Sequence, residues 1–171
     1  MIILKNGRGQ LGTILADQIS KSIYKYSAKD IYIYHTWDMD NKNDKKIQKD
    51  CLDKFRIFVD NNKDNKIVFI STYSQQNNLY NLFKQKAEGY LLSNHDHGIV
   101  IKLPVLLGKG ICQKLKDKEA SPYGDVELMT LKEAAISIIS IAATTVNNRN
   151  RIFRVEGSHI PATLISELMH F

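Results

Sequence analysis

The apolar run "MIIL" at residues 1–4 meets "KNGRGQLG" at once, and this junction constrains the fold more than any other stretch. A short continuous apolar run suits a strand buried on both faces, as in parallel sheets. Glycines follow at positions 7, 9 and 12, and "TILADQISKSIYKY" then spaces its apolar residues at helical intervals. The pattern recurs along the chain. "DIYIYHTW" and "KIVFIS" read as further strands, rich in β-branched and aromatic residues. Between them "KKIQKDCLDKFRIFVDN" forms a polar helix whose buried stripe is Ile47, Cys51, Leu52, Phe55, Phe58 and Val59. "YNLFKQKAE" starts a third helix, and "GIVIKLPVLLG" is a fourth strand closed by Pro104 and Gly108. "TLKEAAISIISIAATTV" reads as a helix, "RIFRVEG" as a last strand, and "IPATLISELMHF" as a terminal helix with Pro161 near its first turn. Strands alternating with helices imply an α/β fold, a parallel sheet with helices on both faces.

Bulk properties narrow the class of function. At 171 residues the chain is one domain with room for a real core. The net charge of +6 comes from scattered lysines mixed with Asp and Asn, as in "NKNDKKIQKD", which is the pattern of a solvated surface. Neither an arginine cluster nor an aromatic ladder argues for nucleic acid. The two cysteines, Cys51 and Cys112, are isolated, so the expectation is no disulfide and a reducing, cytoplasmic compartment. The first apolar run is too short for a signal peptide, and "AAISIISIAATTV" is too short to cross a membrane. His95 and His97 in "NHDHG" read as solvated turn residues, and no metal site is expected.

In parallel α/β sheets ligands bind beyond the carboxyl ends of the strands. Three features converge on that edge. Gly7-x-Gly9-x-x-Gly12, with Arg8, Gln10 and Leu11 between the glycines, links a strand to a helix. Such a turn lets a dinucleotide pyrophosphate approach backbone N–H groups at a helix N-terminus, although glycines kept for helix–strand packing alone give the same pattern. "FISTYS" ends the third strand with Ser71 and Thr72, whose hydroxyls either contact a substrate oxygen or close a turn. Tyr80 and Lys84, four residues apart, share one helical face. An ammonium there is expected to lower the phenol's pKa toward neutrality and fit it for proton transfer. His35 ends the second strand as a candidate wall of the cofactor pocket, and Trp37 beside it reads as packing.

In this order these features resemble the short-chain dehydrogenase/reductase superfamily, and most closely its extended branch of nucleotide-sugar epimerases, dehydratases and dTDP-4-dehydrorhamnose reductases. "GQLG" at Gly9 to Gly12 is similar to that branch's glycine fingerprint, and Tyr80, Lys84, Ala87 and Glu88 match its Tyr-x-x-x-Lys-x-x-Ala-Glu helix. "IVIKLPVLLGKG" looks like its following strand, with Lys102 where an arginine is usual, and "VELMTLKEAAISI" and "RIFRVEGSHIPATLISEL" look like its late segment. The resemblance implies a Rossmann-like NAD(P)-binding domain over 1–171, with a minimal substrate-side segment from about 109. It implies Tyr80 as acid/base, Lys84 as its pKa partner and ribose ligand, Thr72 as the hydroxyl orienting the substrate, and NAD or NADP lying over Gly7 to Gly12. A nucleotide-activated sugar is the implied substrate, in cell-surface polysaccharide synthesis; a non-catalytic binding or assembly subunit is the alternative. The resemblance leaves two strands of the family fold, its second and third, without a counterpart, because "DIYIYHTWDMD" resembles the fourth; in the other register Asp38 or Asp40 reads the ribose. Loss of those strands would leave "MIIL" an open edge, a pairing hazard, so a homodimer or larger assembly is expected.

Overall fold

Described by a computed structural model are residues 1–23, 30–74, 76–108, 111–117, 124–145 and 151–168. The main sheet joins β1 (Ile2–Lys5), β2 (Ile31–Tyr34), β3 (Lys66–Thr72), β4 (Gly98–Leu103) and β7 (Ile152–Arg154) in that order, every neighbouring pair parallel. Helices α1 (Gln10–Lys21), α2 (Lys45–Asp60), α3 (Leu79–Asn94) and α5 (Leu131–Thr144) cover its two faces. This is the α/β Rossmann-like arrangement that the sequence implies.

Alternation along the strands assigns each helix to a face. Ile31, Ile33, Val68 and Ile70 point into a core shared with Leu15 of α1 and Ala134, Ala135, Ile138 and Ile139 of α5. Tyr34, Ile67 and Phe69 point the other way, onto Leu52, Phe55 and Val59 of α2 and Phe83, Ala87 and Leu91 of α3. β3 is therefore buried on both sides, which accounts for the unbroken run "KIVFIS". Caps set two helix starts. The Asp44 carboxylate accepts from the backbone of Lys46 and Ile47, and Thr130 forms a capping box with Glu133.

Steps from β1 through β2, β3 and β4 to β7 all run the same way across the sheet. Since α2 and α3 lie on one face and α1 and α5 on the other, the connections occur in two opposite hands. About 98% of parallel crossovers are right-handed. Giving that sense to the consecutive connections through α2 and α3 leaves the β1–α1–β2 connection left-handed. The return from β4 to β7, by way of α5, shares its hand. A helix placed like α1 is right-handed only for a step from β1 to a strand on its open side. The position of α1 is thus that of a helix feeding strands beyond β1, and β1 is an edge of the sheet. This opposite hand agrees with the shortened fold that the sequence implies.

Several elements differ from the sequence expectation. "GIVIKLPVLLG" breaks at Pro104, which has no N–H for a ladder, and β5 (Val105–Leu107) leaves the main sheet. With β6 (Asp125–Thr130) and β8 (Ser158–Pro161) it forms a second, three-stranded sheet, parallel to β6 while β8 runs antiparallel. Pro161 ends β8 rather than opening a long helix; a 3₁₀ turn (Ala162–Leu164) and the short α6 (Ile165–Leu168) follow. Helix α4 (Ile111–Lys116), which the sequence pattern does not announce, packs on α6. Arg154 of β7 pairs with Glu127 of β6 at 2.8 Å and ties the two sheets together. The end of the first predicted helix, in 24–29, lies outside the described residues. Phe55 is fully buried among Tyr34, Trp37 and Phe69. Phe55→Ala is expected to cost about 3–5 kcal/mol, read as a lower urea midpoint with an unchanged slope.

Candidate functional site

The carboxyl edge of the main sheet gathers the glycine loop, the ends of β2 and β3 and the first turns of α3. The loop reverses direction through Asn6 and Gly9, both left-handed at φ 52° and 87°. Asn and Gly are the residues that tolerate this conformation. Gly9 is also the N-cap of α1 and offers no side-chain cap to the helix's first turn. Gly12 is glycine for a different reason: a Cβ there would stand 2.7 Å from both the Gly7 carbonyl oxygen and His35 Nε2. The loop is further held by Thr36, whose hydroxyl donates to the Lys5 carbonyl at 3.1 Å. Glycine geometry, an uncapped helix end and a close-packed floor together make a cradle that suits a phosphate.

His35, at the end of β2, forms part of that floor. Its Nδ1 is buried with no hydrogen-bond partner. Burial, and then the nearby Lys84 ammonium, push its pKa below the usual imidazole range, so the ring is neutral near pH 7.

On α3 the sequence pair is present, with electrostatics unlike the expectation. Lys84 is 4% exposed, and its ammonium donates to the Ile70 carbonyl of β3 at 2.7 Å. The rings of Phe69, Tyr80 and Trp37 lie 5.0, 5.4 and 5.7 Å from it. Burial brings the amine down to about 7, opposed by the charges of Glu88 and Cys51. The Tyr80 phenol is pushed up by burial to about 12, not down toward neutrality. The physical reason is position: Lys84 sits over the face of the tyrosine ring and spends its hydrogen bond on the strand, so desolvation outweighs its field at the hydroxyl.

Of the two roles that the sequence leaves open for these hydroxyls, Thr72 takes the turn, and Ser71 takes a third. The Thr72 hydroxyl accepts the Ser74 N–H at 3.1 Å and closes a turn. Ser71 donates to Glu88 at 2.5 Å, and Glu88 also pairs with Lys102 at 2.8 Å. Glu88 therefore fastens α3 to β3 and β4 from within. The sequence reading does not foresee the Ser71–Glu88 bond, although the place of Ser71 on the face of Phe69 and opposite Lys102 follows from strand alternation and register. His95 is a correction: it is buried, with Nε2 3.1 Å from the Asn62 carbonyl oxygen and Nδ1 accepting the His97 N–H. Among the described residues no group of three or more His, Cys, Asp or Glu side chains could hold a metal, and no helix is long and apolar enough to cross a membrane. Trp37 packs edge-on against Phe55 and Phe69.

The fold is similar to that of several proteins of known structure. UDP-N-acetylglucosamine 4-epimerase from Bacillus cereus is similar at 16% identity over 97% of this chain and 81% of that one, with a TM-score of 0.72. dTDP-4-dehydrorhamnose reductase from Bacillus anthracis, solved in complex with NADP, gives 12% identity over 99% and 81%, with a TM-score of 0.73. The capsular polysaccharide assembling protein CapF from Staphylococcus aureus gives 14% over 99% and 57%, with a TM-score of 0.61. No protein-family model and no curated protein matches the sequence. At these identities the likeness defines the fold.

The Lys84 amine generates a pH dependence. Its native pKa, about 7, lies below the ordinary lysine value of about 10.4, so between those limits the unfolded chain binds more protons. Stability is expected to rise with pH from about 7 until tyrosine ionisation begins near 10, and Lys84→Met should remove that rise. Urea midpoints measured across the window check it.

Proposed function

We propose that the chain is a minimal NAD(P)-dependent oxidoreductase or epimerase acting on a nucleotide-activated sugar, in cell-surface polysaccharide synthesis. The observation that carries this reading is the meeting of the uncapped glycine cradle with the Tyr80–Lys84 face of α3 across the end of β2. The neighbours' printed activities, an epimerase, a reductase crystallised with NADP and a capsular assembling protein, agree with it.

The residues present fit the cofactor in part. Gly7, Arg8, Gly9, Gln10, Leu11 and Gly12 form the cradle for the pyrophosphate, with His35 as its floor. Bound there, the dinucleotide would supply or accept hydride. Tyr80 would hold the proton exchanged with a sugar hydroxyl or carbonyl, Lys84 would set its field and reach a ribose, and Thr72 would orient the substrate once released from its turn. The adenosine side is the incomplete part, because strands beyond β1 would build it. A second copy of the chain against the β1 edge would supply a wall there, so self-association belongs to the same proposal. The segment from about 109, which carries α4, β6 and β8, is the proposed substrate side.

One observation favours the second reading, a non-catalytic binding or assembly subunit. The Tyr80 phenol at about 12 and the Lys84 bond to Ile70 describe a pair that is not poised for proton transfer as it stands. Calorimetry with NADH and NADPH separates the readings from a mere scaffold: binding is expected, weakened by the missing adenosine wall, and no heat or thermal shift at millimolar dinucleotide overturns both cofactor readings. Where turnover on a nucleotide sugar is found, Tyr80→Phe should lower it by about 10²–10⁴-fold with folding intact. A variant at the native rate would remove Tyr80 from the chemistry.

A further inference from the structure

The loop at 36–43 touches both members of the Tyr80–Lys84 pair, and one buried side chain holds that loop in place. Gln48 of α2 is fully buried. Its Oε1 accepts the Trp37 indole N–H at 2.7 Å, and its Nε2 donates to the carbonyls of Asp38 and Asn41 at 2.8 and 3.0 Å. Asp38 in turn accepts from the backbone of Asn41 at 2.8 Å. The amide orientation follows from chemistry: an indole only donates and backbone carbonyls only accept. Glutamate could not donate to the two carbonyls, and leucine could make none of the three bonds. From the ordered loop, the Lys42 carbonyl accepts the Tyr80 backbone N–H at 2.8 Å. Trp37 presents its ring to the Lys84 ammonium at 5.7 Å, completing with Phe69 and Tyr80 an enclosure of three aromatic faces.

We infer that Gln48 and Trp37 are positioning residues for the Tyr80–Lys84 pair, Gln48 by closing the 36–43 loop and Trp37 by walling in the Lys84 amine. As a role in catalysis this rests on the proposed function; as a property of the folded chain it does not. The ring faces attract the ammonium while the enclosure excludes the water that would otherwise solvate it. Glu88 on α3, Cys51 on α2 and His35 at the end of β2 are the other titratable groups that act on or beside this amine. Releasing the loop lets water in, and the amine then moves back toward the ordinary lysine range.

Trp37 is the only tryptophan in the chain, so tryptophan fluorescence reads this enclosure directly. We expect the fluorescence of the native chain to titrate with the Lys84 amine and the transition to vanish in Lys84→Met. In Gln48→Leu, shown to be folded by circular dichroism, the midpoint should rise by about half a pH unit or more, the shift produced by partial rehydration of a buried amine. Hydrogen exchange of the native chain gives a second measurement that needs no variant: the Trp37 indole and Tyr80 amide hydrogens should exchange slowly. A folded Gln48→Leu with the native midpoint, a native chain without the transition, or fast exchange at those two hydrogens overturns the inference. Neither measurement uses a dinucleotide. A chain that binds no cofactor therefore fails the functional reading and leaves this one standing.

Discussion

Strand β3 is the element on which core and site both depend. Its alternate residues fill the two helical layers, Val68 and Ile70 toward α1 and α5, Ile67 and Phe69 toward α2 and α3. Burial on both faces keeps water from its backbone carbonyls. The Ile70 carbonyl receives the Lys84 ammonium, and the Ser71 hydroxyl meets Glu88 one residue later. The same strand that nucleates the core therefore fixes the rotation of α3 about its own axis. Those two anchors act with the Lys42 carbonyl, which receives the Tyr80 N–H, to aim Tyr80 and Lys84 at the carboxyl edge.

The handedness of the β1–α1–β2 connection carries a second constraint. α1 is kept where the glycine loop needs it, with its N-terminus over the sheet edge, although its position suits strands that the described chain lacks. Retaining α1 preserves the packing of Leu15 against α5 and the cradle at Gly9 to Gly12. Under the proposed function, the glycine cradle would hold phosphates while the open side of β1 offers no wall for an adenosine.

Much of the fold was legible because parallel strands buried on both faces have a plain signature. "MIIL", "DIYIYHTW" and "KIVFIS" each became strands of the main sheet in chain order. The second sheet was not legible. Its strands are short and half-exposed, and β5 is continuous in sequence with β4 until Pro104 redirects it. In the site, the spacing of Tyr80 and Lys84 placed them on one helical face, but spacing carries no information about depth. Depth decides the sign of the phenol's shift, and the sequence expectation had the opposite sign. His95 failed for the same reason: a polar turn by composition is buried by Arg151 and the 61–65 turn closing over it, with Arg151 donating to the His95 carbonyl. Gln48 gave no signal at all, since a glutamine on a polar helix is unremarkable until three partners from the loop just before that helix converge on it.

Two opposing influences set the state of the Lys84 amine, and their balance bears on what the site can do. Burial disfavours the charge, while three ring faces, the Ile70 carbonyl and the Glu88 carboxylate favour it. The result, about 7, is a group that changes protonation in response to small changes in its surroundings. An anionic or hydroxyl-bearing ligand entering beside His35 would add a second acceptor beside the Ile70 carbonyl. It would draw the amine toward the charged form and off the strand carbonyl. Only then would its field reach the Tyr80 hydroxyl at full strength and pull the phenol down. The resting arrangement is therefore compatible with either reading of the protein, and the difference between them reduces to whether a bound ligand can compete with the Ile70 carbonyl for one ammonium.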